Sequence, residues 1–409
     1  MSILIKNALV VSQNARRRVH YTDVFIDENV ITEISDHIRI EADYKIDGNG
    51  RMLLPGLINT HSHVAMGTMK GLVDDVGMEE FLSRTAKLDA AQTDASVYSG
   101  TSLGIAEMLR TGTTSFVDLY YSEDIIANAA LPEGIRAFLS WVALDKGYTT
   151  QPGDPIKNAE RFIREFDSKS DLLVPGVGLQ GVYACSAETM LKAKELAERF
   201  DRILPMHISE SAAEVAACKK RMGRTPLAYM EKIGAISGNM LAVHEVYPTP
   251  YELRLLQRHG IAVSHNPVSN MKLGNGPAAP VPKMLATGIN VTLGTDSVAS
   301  NNSLDMFGTM KAAALLHKAL GKDPTIVPAQ DVLDMATINA AKALRMGRKL
   351  GSIEEGKLAD VILINPGQSG LPMSRKNAVS NAVYSLQGLN VEKTIVNGEI
   401  VMDAEALRH

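Results

Sequence analysis

The sequence predicts an α/β protein, a (β/α)8 TIM barrel with a small β-sandwich domain formed by both chain ends. Three observations predict this fold. The middle of the chain repeats a unit of a short apolar run followed by a helical stretch eight times. Both chain ends contain only short β segments separated by polar turn residues. Histidines and an aspartate follow several apolar runs, at the strand ends where barrel enzymes place their chemistry.

The two chain ends are expected to form one domain. Residues 1–54 contain runs such as Asp23–Ile26, and residues 352–409 contain runs such as Asp360–Ile364. Chain termini often lie close together, so the two ends can pair while the middle forms a separate unit. We therefore predict a small β-sandwich domain from 1–54 plus 352–409, and a catalytic barrel from 55–351.

The barrel prediction fixes where each strand ends. The expected last strand residues are Thr60, Leu119, Leu144, Leu179, Ile208, Val243, Ser264 and Leu293. Between the strands lie helical patterns, one of which begins with a capping box from Thr249 to Glu252. A doubly wound sheet is the alternative architecture. No Gly-x-Gly-x-x-Gly follows an early strand, which removes the usual argument for dinucleotide binding.

Composition excludes several classes of function. The chain has 409 residues, 45% of them hydrophobic and 22% charged, as in ordinary soluble proteins. Its net charge is −4 with no basic block, so we expect no nucleic-acid partner. No apolar run approaches a membrane span, so we expect no membrane partner. The two cysteines lack metal-type spacing, which favours reduced thiols in the cytoplasm.

A metal site is indicated by residues that follow three of the predicted strands. His61 and His63 lie two positions apart and share one face of the first strand. His207 ends the fifth strand and Asp296 follows the eighth. Three histidines and an aspartate suit Zn²⁺ or Fe²⁺. Taken singly, the histidines could be ordinary core or surface residues, and Asp296 could be the N-cap of the next helix.

The same stretches carry a family resemblance. The motifs are Pro55–His63 (PGLINTHSH), His207-x-x-Glu210, His244, 264–274 (SHNPVSNMKLG), 294–302 (GTDSVASNN) and 351–360 (GSIEEGKLAD). In this order, and over nearly the whole chain, they resemble the amidohydrolase superfamily. The branch they resemble most is that of the 5′-methylthioadenosine/S-adenosylhomocysteine deaminases, which is also similar to triazine hydrolases.

The resemblance implies a role for each residue. His61, His63, His207 and Asp296 would bind one metal ion, expected to be Zn²⁺, and Asp296 would also act as general base. Glu210 would protonate a ring nitrogen while metal-bound hydroxide attacks the amino-bearing carbon, and His244 would stabilise the tetrahedral centre. Members with two metals usually use a lysine on the fourth strand, and residues 172–180 contain none. The implied protein is a homo-oligomeric hydrolase of C–N bonds other than peptide bonds.

The substrate assignment is weakened by three departures from that branch. Thr85 occupies the position expected for a ribose-binding glutamate, Gln180 that of a histidine, and Trp141 that of an arginine for the substrate carboxylate. These changes make S-adenosylhomocysteine a less suitable substrate. Trp141 could stack on a heterocycle or pack in the core with equal ease. Thr85, Trp141, Gln180 and Ser300 are the expected substrate-binding residues.

The leading hypothesis is therefore a metal-dependent deaminase of an aminated purine nucleoside or related N-heterocycle. A second hypothesis is another hydrolysis at the same site, such as triazine dechlorination, guanine or pterin deamination, or opening of a cyclic amide. A third is a homologue without catalysis. The complete set of ligand residues argues against the third, because such homologues arise when ligands are lost.

Overall fold

The computed structural model describes residues 1–406. Within that range, the strands in chain order are β1 (Ser2–Val11), β2 (Val19–Asp27), β3 (Val30–Ser35), β4 (Tyr44–Asp47), β5 (Met52–Pro55), β6 (Leu57–Ser62), β7 (Thr113–Tyr120), β8 (Arg136–Ala143), β9 (Leu173–Leu179), β10 (Leu204–Ile208), β11 (Met240–His244), β12 (Ala262–His265), β13 (Val291–Leu293), β14 (Val361–Ile364), β15 (Val391–Val396) and β16 (Glu399–Asp403). They form two sheets of eight strands each.

The helices follow the strands of the middle region. In chain order they are α1 (Met78–Ala90), α2 (Asp94–Arg110), α3 (Glu123–Glu133), α4 (Pro155–Phe166), α5 (Ala187–Arg199), α6 (Ala212–Met222), α7 (Pro226–Ile233), α8 (Pro250–His259), α9 (Pro267–Lys272), α10 (Val281–Ala286), α11 (Val298–Asn301), α12 (Met306–Gly321), α13 (Ala329–Met335), α14 (Ile338–Ala343) and α15 (Ala378–Tyr384). Short 3-10 helices span Val64–Met69, Lys146–Tyr148, Pro366–Ser369 and Gly388–Asn390.

The second sheet is the predicted barrel. Strands β6 to β13 pair in chain order, and the pairs are parallel throughout. Hydrogen bonds from Thr60 Oγ1 to the Leu293 carbonyl (2.9 Å) and from the Asp296 amide to the His61 carbonyl (2.9 Å) join the last strand to the first. Every predicted strand end lies within two residues of the observed one. The fold class is confirmed, and the doubly wound alternative is wrong.

Closure of the barrel also decides the position of the site. All eight strands run the same way, so their C-terminal ends meet at one rim of the barrel. The loop after β13 is hydrogen-bonded to β6 through the Asp296 amide, which places the aspartate directly beside His61. Residues distant in sequence are therefore brought together by backbone bonds rather than by side-chain contacts alone.

The first sheet joins both chain ends in the order β16-β15-β14-β5-β1-β2-β3, with β4 beside β1. Its apolar residues form a separate buried cluster, to which both Ile26 of β2 and Ile395 of β15 belong. Because these strands are far apart in the sheet order, the sheet must curl around this core, as the prediction of a β-sandwich requires. We propose that the predicted boundaries, 1–54 with 352–409 and 55–351, also separate the two domains.

Local sequence explains the start of the helix that follows β11. The Thr249 side chain accepts a hydrogen bond from the Glu252 amide, and the Glu252 carboxylate accepts one from the Thr249 amide at 2.9 Å. This is the predicted capping box, and Pro250 occupies the first helical position. Among the described residues, none of the helices combines the length and apolar character needed to span a bilayer.

Candidate metal centre and active site

The four expected metal ligands converge at the C-terminal rim of the barrel. His61 lies in β6, His63 just after it, His207 in β10 and Asp296 after β13. The Nε2 atoms of His61 and His63 lie 3.5 and 3.4 Å from Asp296 Oδ1. The ligand atoms of His61, His63 and Asp296 lie within 4.8 Å of one another, as do those of His61, His207 and His244. Both trios have the size of a metal centre.

Second hydrogen bonds orient two of the imidazoles. His63 Nδ1 lies 2.7 Å from the Leu119 carbonyl, and His207 Nδ1 lies 2.8 Å from the Gln180 carbonyl. A carbonyl accepts only, so each Nδ1 carries the hydrogen and each Nε2 presents its lone pair to the centre. His61 is fully buried, and neither of its ring nitrogens has a hydrogen-bond partner. This arrangement fits a divalent metal, because a metal would satisfy the orphaned imidazole.

Asp296 is held in place by its backbone and by two further groups. Its φ angle of 63° is left-handed, which is unusual for a residue other than glycine. Ser269 Oγ donates to Oδ2 at 2.6 Å, and the Ser297 amide donates to Oδ1 at 2.7 Å. The helix that follows is capped by Ser297, so the alternative interpretation of Asp296 as an N-cap is wrong.

The neighbouring imidazoles outweigh burial in setting the charge of Asp296. Burial raises the pKa of this carboxyl, but the rings of His61 and His63 beside it lower the pKa more, so the net pKa lies well below the ordinary value. Asp296 is therefore ionised at neutral pH, as a metal ligand and proton acceptor must be.

Glu210 has the opposite electrostatic character. It follows β10 and lines the cavity above the metal centre. Burial, with repulsion from Asp296 added, raises its pKa to about 8. Asn275 Nδ2 donates to Glu210 Oε1 at 2.9 Å, and the Glu214 carboxylate accepts the Glu210 amide at 2.8 Å. The carboxyl thus keeps its proton at neutral pH in a fixed position and can act as a general acid.

His244 completes the site. It ends β11, and its Nε2 lies 3.7 Å from Glu210 Oε2 and 4.0 Å from Asp296 Oδ2. Its Nδ1 lies 3.1 Å from Asn270 Nδ2 and 3.3 Å from Asn266 Nδ2. The ring therefore faces the two proposed proton-transfer groups with Nε2 and two side-chain amides with Nδ1.

A cavity of about 570 Å³ is lined by His63, His207, Glu210, His244 and Asp296. Thr85 and Gln180, two of the expected substrate-binding residues, line its wall. Thr85 Oγ1 nevertheless donates to the Phe81 carbonyl of its own helix at 2.8 Å, which occupies its hydrogen. Gln180 Nε2 donates to Tyr183 Oη at 2.8 Å. Thr85 can offer a substrate only a lone pair, and Gln180 only its carbonyl oxygen and its second amide hydrogen.

Two predicted substrate residues lie elsewhere. Trp141 is not among the cavity-lining residues, and its indole Nε1 donates to Gln151 Oε1 at 2.7 Å while the ring packs against Phe162 at 5.9 Å. Neighbouring strand residues face opposite sides, so Val142 lines the cavity and Trp141 faces helix α4. Ser300 is buried, bonds to the Ser297 carbonyl and does not line the cavity. The structure therefore places neither residue at the cavity wall, and their assignment to substrate binding stays a prediction.

Asp89 is a cavity residue that the sequence analysis missed. It lies on α1 one helical turn after Thr85 and lines the same wall. Tyr120 Oη and Gln92 Nε2 both donate to its Oδ1, which leaves Oδ2 without a protein hydrogen bond. The spacing of four residues from Thr85 was the available signal, since residues i and i+4 share one helix face. Among the described residues that line the cavity there is no lysine or arginine.

The Amidohydrolase family model matches residues 52–401. The chain belongs to the amidohydrolase family. It is 40% identical to a 5-methylthioadenosine/S-adenosylhomocysteine deaminase of Thermococcus kodakarensis, with 98% of this chain and 94% of the relative covered. It is 38% identical to a 5′-deoxyadenosine deaminase of Methanocaldococcus jannaschii, with 99% and 95% covered. The family resemblance inferred from the motifs is therefore confirmed, and a metal-dependent hydrolase is the class to which the chain belongs.

Solved structures agree in fold. A zinc-bound adenosine deaminase from Xanthomonas campestris matches with a TM-score of 0.92 and 28% identity, over 99% of this chain and 96% of that one. A triazine hydrolase from Arthrobacter aurescens matches with a TM-score of 0.89 and 24% identity, over 100% and 98% of the two chains. The second likeness supports the fold alone.

Proposed function

We propose that this protein is a hydrolytic deaminase of an adenine nucleoside that carries a small, uncharged 5′ group. The observation that carries the proposal is the pairing of two carboxyls of opposite protonation state above one metal centre. Asp296 is ionised, and Glu210 keeps its proton. Deamination needs both states, because water must lose a proton while the ring and the leaving amino group each gain one.

We assign the metal to His61, His63, His207 and Asp296, and we propose Zn²⁺ as that metal. A bound divalent ion supplies a Lewis acid that lowers the pKa of a coordinated water towards 7. One ion per chain is expected, since β9 offers no lysine to bridge a pair. The zinc-bound adenosine deaminase among the structural relatives supports the choice of metal.

The protein's own groups then move the protons. Asp296 Oδ2 accepts a proton from the attacking water, whose oxygen bonds to the amino-bearing carbon. Glu210 gives its proton to the adjacent ring nitrogen, and His244 donates a hydrogen bond to the new oxygen. Asp296 returns its proton to the amino group, the C–N bond breaks and ammonia leaves, while the new hydroxyl gives its remaining proton back to the Glu210 carboxylate. The ring keeps a carbonyl where the amino group stood, and both carboxyls regain their starting protonation states.

The wall of the cavity favours a nucleoside. Asp89 offers a free carboxylate oxygen at the wall, where it can accept hydrogen bonds from the vicinal hydroxyls of a ribose. No cavity-lining lysine or arginine is available, among the described residues, to pair with the carboxylate of an amino-acid tail. We therefore rank 5′-deoxyadenosine and 5′-methylthioadenosine above S-adenosylhomocysteine. The names of the curated relatives include both favoured nucleosides, and one of those names also includes S-adenosylhomocysteine.

An ammonia-release screen with Zn²⁺-loaded protein tests the proposal. The panel comprises 5′-deoxyadenosine, 5′-methylthioadenosine, adenosine, S-adenosylhomocysteine, guanine, a pterin, cytosine and an amino-triazine. Highest kcat/KM on an adenine nucleoside supports it, whereas highest kcat/KM on guanine, a pterin or a triazine would replace it with the corresponding hydrolysis. A cytoplasmic location and a homo-oligomeric state belong to this proposal, and cell fractionation and light scattering test them.

A further inference from the structure

One segment, residues 266–275, hydrogen-bonds the three side chains that the proposed function places at the reacting carbon, Asp296, Glu210 and His244. The bonds are Ser269 Oγ to Asp296 Oδ2 at 2.6 Å, Asn275 Nδ2 to Glu210 Oε1 at 2.9 Å, and Asn266 and Asn270 Nδ2 to His244 Nδ1 at 3.3 and 3.1 Å. The proposed mechanism uses none of these four donors directly. Their convergence indicates that the segment sets hydrogen positions in the site.

The local fold explains why two amides reach one ring nitrogen. Asn266 precedes α9, whose first residue is Pro267, and Asn270 lies one helical turn further on. Side chains four residues apart share a helix face, so both amides point towards the end of β11. Both side chains are buried, and the Oδ1 atom of each lacks a hydrogen-bond partner.

The orientation of the Asn266 amide follows from a second contact. The atom facing His244 also lies 3.4 Å from the Ser264 carbonyl oxygen. A carbonyl oxygen can only accept a hydrogen bond, so the shared atom is the amide nitrogen. His244 Nδ1 therefore faces an N–H group and must present its lone pair, since a hydrogen on Nδ1 would meet the amide hydrogen. The Asn270 amide, at 3.1 Å from the same lone pair, must also present its nitrogen.

A neutral imidazole carries a single hydrogen, and with Nδ1 accepting, that hydrogen lies on Nε2. Nε2 faces Glu210 Oε2 at 3.7 Å and Asp296 Oδ2 at 4.0 Å, across the space where the attacking oxygen must lie. His244 can thus donate a hydrogen bond into the reaction space. It has no Nε2 lone pair with which to bind metal or accept a proton.

We propose that Asn270 and Asn266 are positioning residues that hold His244 as its Nε2–H tautomer. The tautomer follows from the geometry alone, whereas its catalytic consequence rests on the proposed function. The Nε2–H tautomer decides between the two candidate ligand trios, because His244 then has no lone pair facing the centre. His61, His63 and Asp296 bind metal together with His207, and His244 remains outside the coordination sphere. The two asparagines touch neither substrate nor metal in this arrangement.

The tautomer can be measured directly. Zn²⁺-loaded protein with ring-¹⁵N-labelled histidine gives a two-bond ¹H–¹⁵N pattern that distinguishes Nε2–H from Nδ1–H, and a His244→Gln variant assigns the His244 signal. We expect Nε2–H in the wild type. In Asn270→Asp, the new carboxylate accepts instead of donating, so a hydrogen should appear on Nδ1. Asn275→Asp adds the same charge within the segment but contacts Glu210, so its His244 pattern should remain that of the wild type.

Kinetics on the preferred nucleoside tests the consequence. Loss of one donor to a developing oxyanion, or a histidine in the wrong tautomer, lowers kcat by about 10²–10⁴-fold. Asn270→Asp should show a loss in this range with KM changed less than about threefold. Asn270→Ala, which keeps the Asn266 amide, should lose less and keep the Nε2–H pattern.

An Nδ1–H pattern in the wild type would overturn the proposal, whatever the substrate proves to be. So would an Asn270→Asp protein that loses kcat while its His244 keeps the wild-type pattern. If the variant fails to fold, the wild-type spectrum still decides the tautomer. If no substrate in the panel reacts, the proposed function fails, and the spectrum still tests this inference.

Discussion

The two ends of the barrel bury charged groups in opposite ways. At the end facing the first sheet, Arg136 begins β8 with 2% of its surface exposed, and Asp360 pairs with it through two bonds of 2.9 and 3.1 Å. The Asp171 carbonyl and Asn397 accept further bonds from the same guanidinium. At the C-terminal rim, His61 is equally buried, and neither nitrogen of its ring has a hydrogen-bond partner.

The difference separates stability from function. A buried ion pair whose hydrogen bonds are all satisfied links the two sheets and needs no further ligand. A buried polar group without a partner costs free energy, so its presence at the rim indicates a ligand that supplies the missing interaction. Changes at the rim should therefore remove activity with little loss of stability, and changes at the junction should do the reverse.

Metal removal should have the largest effect. Dialysis against a chelator should abolish ammonia release, and one equivalent of Zn²⁺ per chain should restore it, because we assign His61, His63, His207 and Asp296 to a single metal site. Elemental analysis of active protein measures the stoichiometry. A value near two, or active protein without metal, would contradict the single-site assignment.

Replacing Glu210, the proposed general acid, should have the second-largest effect on activity. Glu210→Gln should lower kcat by about 10²–10⁴-fold while metal content and melting temperature stay near wild type, since the amide replaces a carboxyl that is already neutral. Near-normal kcat would remove Glu210 from the mechanism. Loss of stability with an intact rate per folded molecule would reassign the residue to structure.

The pH profile of the wild type should show that activity needs the protonated form of Glu210. Burial raises the pKa of Glu210 to about 8, so the group keeps its proton below that pH and loses it above. As the reaction needs the protonated form, kcat/KM of the wild type should be level up to about pH 8 and fall at higher pH. This fall in kcat/KM at high pH should be missing from Glu210→Gln measured over the same pH range.

At the junction, the expected change is in stability. Arg136→Met leaves Asp360 buried without its partner, which typically costs about 3–5 kcal/mol of unfolding free energy. Denaturant unfolding measures this loss, and kcat per folded molecule should be unchanged.

Two controls test the cause of the loss. The double variant Arg136→Met/Asp360→Leu removes both charges and should recover much of the lost stability. Lys192→Ala, which breaks an exposed pair with Glu188, should change stability far less. A fall in kcat of Arg136→Met with unchanged stability would contradict the assignment of this ion pair to stability.

Sequence reasoning reached the barrel and the four ligands because both depend on patterns along one strand. Apolar runs mark the strands, and closure of the barrel brings their ends together wherever the loops go. It missed Asp89, because the spacing of four residues from Thr85 gives the helix face but how far the cavity extends along α1 depends on packing. The direction of Trp141 depends on packing as well, because a shift of one residue along a strand reverses the side that a residue faces.

Asp89 offers a finer test at the rim. Asp89→Asn removes the free carboxylate oxygen that we assign to the ribose hydroxyls. Hydrogen bonds to a charged group contribute about 1.5–3 kcal/mol, so kcat/KM for 5′-deoxyadenosine should fall roughly 10- to 150-fold. The hydrolysis of an analogue lacking the sugar, such as 9-methyladenine, should be unaffected. Equal losses on both compounds would show that Asp89 supports the site through Tyr120 instead.

The smallest expected effect concerns the tail of the substrate. S-adenosylhomocysteine carries an ammonium and a carboxylate, and among the described residues lining the cavity no lysine or arginine can pair with the carboxylate. Leaving that group unpaired in a partly desolvated cavity costs about 1–2 kcal/mol, so its kcat/KM should be roughly 5- to 30-fold below that of 5′-methylthioadenosine. The two substrates share the ring and the ribose, so their ratio reports on the tail alone. Asp89→Asn should lower both values and leave the ratio near that of the wild type. A ratio that favours S-adenosylhomocysteine would mean that a cation outside the lining residues reaches the tail.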